Sequence, residues 1–435
     1  MGQAFWARVW VLLVLGYALM GRTFAYLGVP SLKVFIGELI LGAFVIIRGN
    51  RVLRTWFTWL LGYGPRALLV LAWASALFFS YGILQAMRGV LLLGHELIIV
   101  LQNFVFNVYP LYLFLGLWVG QARPALLRNV VRWLAWANGI YGTLYVLLLN
   151  RLDVTLPWAP DITLFGQPGG SALALLGLLS LESRPVRVWP LLVLNFFVLL
   201  GVQVRGEWLA LGAGLFVWMV LRRDPSRVAL LGATAVLLFA AMYALDLRIP
   251  APETRGGEIS VRGVVARGLA PLNPDAAATL IGEEAYSLAG TIMDWRVPWW
   301  LSIWDEVHRD VISALLGLGY GYPLYSLLPF ISEGIRTPHN VFFYALGYSG
   351  WLGVIFFFTF QFSLGYAVYW ASMSSKNHFG PALWVSLLCS ALVGNFFETP
   401  FGAIPFYLLI GYGLSPLSQA YARANSSHVL PTTRR

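Results

Sequence analysis

Charge is what this sequence has least of. Asp, Glu, Lys and Arg make up 11% of the 435 residues, under half of the roughly 25% usual in soluble domains. With 59% hydrophobic residues, the chain has too little polar surface to cover itself in water, which excludes an ordinary soluble domain. Cysteine is nearly missing: Cys389 stands alone in an apolar run, so no internal disulfide is possible. The five histidines (His95, His308, His339, His378 and His428) have no ligand-like spacing. None of the Asp residues has a second Asp two positions away, so the common metal-binding signature of nucleotide-sugar transferases is missing too. There is no P-loop pattern, which speaks against ATP-driven work by this chain alone. Neither metal nor cofactor is expected.

What is present is a long succession of apolar runs. A transmembrane helix needs about 20 such residues, and stretches such as LLVLAWASALFFS and VIFFFTFQF are continuously apolar. The alternating pattern of a membrane barrel is not seen. The expected fold is therefore an all-α polytopic membrane protein with about twelve transmembrane helices. The apolar windows are 8–26, 32–48, 66–85, 95–119, 130–149, 166–182, 187–203, 206–222, 228–247, 339–371, 380–396 and 400–417. Gly and Pro between 160 and 210 mark candidate broken helices. The first run lacks a small-residue cleavage site after it and is expected to be a retained span.

Lys and Arg outnumber Asp and Glu by 29 to 19, for a net charge of +10. In a membrane protein this points to topology and anionic lipid partners, with no nucleic acid expected. Sorting the cations over alternate loops with an internal N-terminus places 17 inside, 5 in short outside loops and 7 in one long loop. Long loops weigh little in this rule. Both termini are then cytoplasmic and the long loop is external. The organisation is helices 1–9 over 1–247, the loop over 248–338, helices 10–12 over 339–417 and a polar tail over 418–435. Within the loop, MDWRVPWWLSIWDEVHRDVISALLG sets Trp300, Trp304, Val307 and Val311 at spacings of three and four, an amphipathic face suited to a membrane surface or to capping the bundle.

Ionisable residues near membrane depth are functional suspects, because burying them is costly. On the external side stand Arg22, Lys33, Arg88, Arg205, Arg296 and Arg336. Arginine offers a planar donor fork to paired phosphate oxygens, so such a cluster is suitable equipment for a diphosphate. Snorkelling to lipid headgroups is the alternative for each one. Arg205 lies in LLGVQVRGEWLALGAGL, a polar break between two apolar runs, where it either pairs with Glu207 or lines a re-entrant site. His339 stands after Pro338 at the mouth of a very apolar span, as a proton acceptor near neutral pH or as a packed cap.

The run LLGLGYGYPL, followed by PHNVFFYALGYSGWLGVIFFF, resembles the C-terminal signature of the O-antigen ligase and polymerase superfamily. The matching positions are Gly317, Gly319 and Gly321, then His339 and Asn340, then Gly347, Gly350 and Gly353. VRGEWLAL is similar to the family's "SRG" segment, with Val204 where Ser is usual, and DWRVPWW resembles the second arginine position in the long loop. In the ligase branch this resemblance implies transfer of a polysaccharide from undecaprenyl diphosphate to lipid A-core, without a metal, on the periplasmic face of the bacterial inner membrane. His339 would be the general base, and Arg205 and Arg296 would bind the departing diphosphate. Arg22, Lys33, Arg88, Arg336 and Asn340 would contribute to substrate binding. Glu398, in NFFETPFGAIP, would orient His339 or balance the arginines. Attack opposite the leaving group would invert the anomeric centre, and the donor would supply the energy.

Two other readings stand beside it. A polymerase would extend glycan on the lipid carrier, and the spacing of Arg336 to Gly347 fits one described for some polymerases. A protein O-oligosaccharyltransferase would usually carry a further large C-terminal region. A secondary transporter would also have twelve spans, but repeat symmetry between halves and midplane charges are not seen.

Overall fold

The computed structural model describes residues 2–29, 34–250, 258–270, 272–282, 292–328 and 337–420. The molecule is built from helices, with three two-stranded antiparallel hairpins among the described residues. In chain order the helices are α1 (Gln3–Ala25), α2 (Ile36–Leu60), α3 (Arg66–Met87), α4 (Leu97–Val108), α5 (Tyr112–Ala122) and α6 (Leu126–Leu147). Then come α7 (Ser171–Leu181), α8 (Trp189–Val202), α9 (Arg205–Arg222) and α10 (Ser226–Ala244). The short α11 (Val261–Leu269), α12 (Pro274–Ile281), α13 (Ile292–Val307) and α14 (Val311–Leu316) precede α15 (Val341–Ser375), α16 (Phe379–Val393) and α17 (Pro400–Gly413).

Each of the twelve apolar windows contains a helix, and among the described residues seven helical segments are long and apolar enough to cross a membrane. Those seven are α1, α3 with its following turn, α4 joined to α5, α8, α10, α15 and α17. α7 and α16 are apolar but short. The chain is thus an all-α protein with the helices of a polytopic membrane protein. The window 166–182 is only partly helical, since residues 166–170 form a non-helical stretch before α7. Between α10 and α15 the expected tryptophan face is shifted in phase. Trp299, Ile303 and Val307 form the buried stripe, while Val311 is 74% exposed. Val311 is set apart from that stripe because the helix stops at Val307 and Asp310 starts a new one by accepting from the Ser313 N–H at 2.9 Å.

Two of the long helices are broken at glycine. α15 breaks at Gly350 (φ 62°), and α1 breaks at Gly21 (φ 45°). An interrupted helix leaves carbonyls without their partners one turn on, a cost of several kcal/mol each in hydrocarbon unless other donors replace them. At α15 the turn carrying Gly317, Gly319 and Gly321 supplies them. The Leu318 N–H donates to Gly347 O (2.8 Å), the Gly319 N–H to Tyr348 O (3.1 Å) and the Tyr81 hydroxyl to Ser349 O (2.6 Å). All three glycines have positive φ. Gly317 also meets the break backbone to backbone: a Cβ there would lie 2.4 Å from Ser349 N. At α1 the 164–170 segment does the same work, with the Gly169 N–H donating to Ala18 O (3.0 Å).

The two ends of the bundle differ in their polar contacts. At one end Arg48 and Arg51 lie over the Trp118 ring, Tyr412 links Arg123 O to the Leu127 N–H, Arg132 pairs with Glu182, and Arg227 donates to Leu179 O and Glu182 O. The opposite end carries the two helix breaks and the starts of α9 and α15.

Gly317→Ala is expected to destabilise the protein by more than the ~1–3 kcal/mol of a strained positive-φ backbone, because its methyl group collides with the backbone of Tyr348, Ser349 and Gly350 at the break. Gly42→Ala, whose added methyl meets nothing within 4 Å, is the control. Thermal unfolding in detergent should show a large fall in Tm for the first and none for the second; equal Tm values would contradict the proposed role of the turn.

Candidate active site

Of the residues singled out by the sequence, Arg205, Arg296, His339 and Asn340 come from three distant segments and lie around the last turn of α16. α8 ends at the buried Gln203, whose φ of 58° turns the chain, and α9 starts at Arg205. Val204 caps α9 without a side-chain hydrogen bond, and the acidic Glu207 stands in its first turn. A Cβ on Gly206 would lie 3.2 Å from Val393 Cγ2, which sets the start of α9 against the end of α16. Arg296 on α13 donates from Nη1 to Val393 O at 2.8 Å. Asn340 donates from Nδ2 to Leu392 O at 2.9 Å.

His339 and Asn340 are set by the entrance to α15. Asn340 is the N-cap, its Oδ1 accepting from the Phe342 N–H at 2.9 Å. His339 before it takes a left-handed backbone (φ 55°), a conformation His tolerates better than most residues but which still requires support. α13 supplies it: Trp300 donates to Pro338 O at 2.7 Å and stacks on Phe343, their ring centroids 5.4 Å apart. Trp299 donates to Leu324 O at 2.8 Å and ties the same helix to the segment after the glycine turn. Trp295 completes the arrangement. Its ring meets His339 edge to face at 5.4 Å and carries the Arg296 guanidinium at 5.0 Å, so one aromatic plate positions both groups. Trp295 was missed in the sequence, although it immediately precedes Arg296 on the Trp-rich helix.

The other candidates are placed differently. Arg88 lies half-buried, and its Nη1 donates to Leu316 O and Gly317 O, both at 3.0 Å, so it braces the glycine turn. Its neighbour Gln85 donates to Leu316 O as well (2.9 Å). Arg22 is exposed at the end of α1, over the Tyr26 ring. Lys33 and Arg336 lie outside the described residues. Glu398 is buried in the connector from α16 to α17, where Oε2 accepts from the Phe396 N–H at 3.0 Å. Its Oε1 has no hydrogen-bond partner among the described residues. Burial pushes this carboxyl up to about 8, against the lowering effect of nearby backbone N–H groups.

A buried acid with a raised pKa has a definite linkage to stability. Between the ordinary carboxyl value and 8, the folded chain holds a proton that the unfolded chain has released. Stability from this group is therefore complete at low pH and is lost as pH rises through that window. Glu398→Gln should remove the dependence. The Tm advantage of the variant over the unsubstituted protein is expected to widen from pH 5 to pH 8.5, and a constant difference would show that Glu398 is not protonated in the fold.

The arrangement offers an imidazole at the mouth of α15, a guanidinium held beside it on an aromatic plate, and a second arginine at a helix start. All three stand around the last turn of α16. No curated protein matches the chain. Residues 190–358 match the family model described as O-antigen ligase, a span that includes Arg205, Arg296, His339, Asn340 and the glycine turn and leaves out Arg22, Arg88 and Glu398. The match covers less than half of the chain and is a similarity of those residues to that family.

Proposed function

We propose that this protein is the ligase of its superfamily, moving a polysaccharide from undecaprenyl diphosphate onto lipid A-core at the periplasmic face of the inner membrane, with both termini cytoplasmic. The observation that carries the reading is the shared seat of His339 and Arg296 on Trp295. The donor's anomeric carbon already bears a diphosphate leaving group. The remaining needs are removal of a proton from the acceptor hydroxyl and neutralisation of the charge that develops as the diphosphate departs.

His339 takes the proton from the acceptor sugar. Arg296, which donates from Nη1 to Val393 O and lies over the Trp295 ring, binds the departing diphosphate. Arg205 joins it from the start of α9, whose first turn also carries Glu207. Asn340 holds the His339 backbone in place through its cap and its bond to Leu392 O. The reaction proceeds with inversion and needs no metal, since charge is met by arginine. Arg22 and Arg88 stand as outer elements: Arg22 for headgroup or phosphate contacts, Arg88 through the turn that it braces.

The test is a reconstitution with purified protein, an undecaprenyl-diphosphate-linked glycan and lipid A-core, read by which lipid carries sugar. Glycan on lipid A-core is the expected product. Longer glycan on the carrier alone would identify a polymerase, and unchanged lipids would overturn the transferase reading in favour of the transporter alternative. His339→Ala is expected to lower turnover by about 10²–10⁴-fold, and Arg296→Gln by about 10²–10³-fold, with Tm retained. Full activity of the His339 variant would remove the proposed base.

A further inference from the structure

Away from this site a crevice enters the bundle between α2, α3 and the α4–α5 pair and holds a cavity of about 260 Å³. Its walls include Gly49, Leu53 and Trp56 on α2 and Phe114 on α5, and it ends on Phe78 and Phe360, whose rings stack at 5.3 Å. Two polar side chains reach the lining, apart from the indoles, and both are engaged. Ser75 Oγ accepts from Trp56 Nε1 (3.0 Å) and donates to Ala72 O (2.9 Å). Asn107 donates to Phe78 O (2.9 Å) and accepts from the Tyr320 hydroxyl. The surface left over is hydrocarbon, and an apolar cavity of even ~150 Å³ stays dry and takes up apolar guests. Val45 and Leu53 at the rim are exposed on the outside of the bundle, where an apolar helix face meets lipid.

Position and charge narrow the occupant. The lining begins ten residues into α2, where Val45 stands, and continues to Trp59; on α5 it reaches Leu117, and it ends at Leu414, beyond α17. These are the parts of the helices that run away from His339. At that end the Arg48 and Arg51 guanidiniums stand 4.8 and 5.9 Å from the centre of the Trp118 ring. Trp118 follows Leu117 directly and lies one turn beyond Phe114. A hydrocarbon slot with two cations beside it has the complementarity of an acyl chain attached to an anionic headgroup.

We propose that the crevice binds one acyl chain of an anionic phospholipid from the leaflet opposite the candidate active site, with Arg48 and Arg51 holding its phosphate. The site is separate from the transfer chemistry, and its test does not depend on it. Gly49 is the position to fill. A Cβ there meets only Val45 Cγ1, at 3.6 Å, so Gly49→Leu places a side chain in the slot without displacing backbone.

The experiment is native mass spectrometry of the purified full chain with dioleoyl phosphatidylglycerol or dioleoyl phosphatidylcholine added in equal amounts. The unsubstituted protein is expected to retain phosphatidylglycerol preferentially. Gly49→Leu should retain about tenfold less, a change of about 1.4 kcal/mol in binding, with Tm unchanged. The double variant Arg48→Gln, Arg51→Gln keeps the slot open and should lose the preference between the two lipids while still binding both. Equal retention by the unsubstituted and Gly49→Leu proteins would overturn the proposal, as would equal binding of both lipids by the unsubstituted protein. Displacement of phosphatidylglycerol by undecaprenyl phosphate would overturn it too, by assigning the slot to the carrier.

Discussion

In hydrocarbon every backbone N–H and C=O must find a partner inside the protein, and the structure turns on how α15 meets that demand at Gly350. The carbonyls before the break cannot use their own helix, so a turn from outside α15 takes them. The turn can approach so closely only because Gly317 and Gly350 present no Cβ to each other. Arg88 and Gln85 then hold the turn by its carbonyls, and Tyr320 anchors it to Asn107. Three helices and a loop are thereby locked to one point.

The candidate site inherits its geometry from that lock. α13 is tied to Leu324 just beyond the turn, to Pro338 immediately before His339 and, through Trp300 stacked on Phe343, to the first turn of α15, so the chain on both sides of His339 is fixed by the same Trp-rich helix. On the other side the α1 break is matched by the 164–170 segment, where a Cβ on Gly169 would lie 3.7 Å from Glu207 in the first turn of α9. The histidine and the two arginines therefore stand between two repaired helix breaks. Groups that must meet a diphosphate and a hydroxyl in fixed relation gain from such preorganisation, because they need not reorganise during the reaction.

Much of this was legible in the sequence, for reasons that differ by residue. Continuous apolar runs announce helices, and all twelve windows contain one. The glycine triplet and the His339–Asn340 pair were visible through a resemblance, but their physical task was hidden, because Tyr81 and Ser349 are 268 residues apart. Arg88 reads equally well as a phosphate ligand and as a brace until Leu316 and Gly317 are seen against it. Of the expected tryptophan face Val307 is buried while Trp304 and Val311 are exposed, and periodicity does not reveal that the chain breaks between α13 and the helix that Asp310 starts. Trp295 carries no signal beyond its adjacency to Arg296, and its value lies in a contact across the fold.

The two breaks also differ in when their partners exist during synthesis. For α15, the glycine turn and Tyr81 both lie N-terminal to the break, so each donor has been made before Gly350 leaves the ribosome. For α1 the order is reversed: Thr23 finds Thr163 O 140 residues later in the chain, and Ala18 O waits for Gly169. The partners of Thr23 and Ala18 O thus do not exist until the chain beyond α6 has been translated. Assembly of this bundle closes backward onto its first helix.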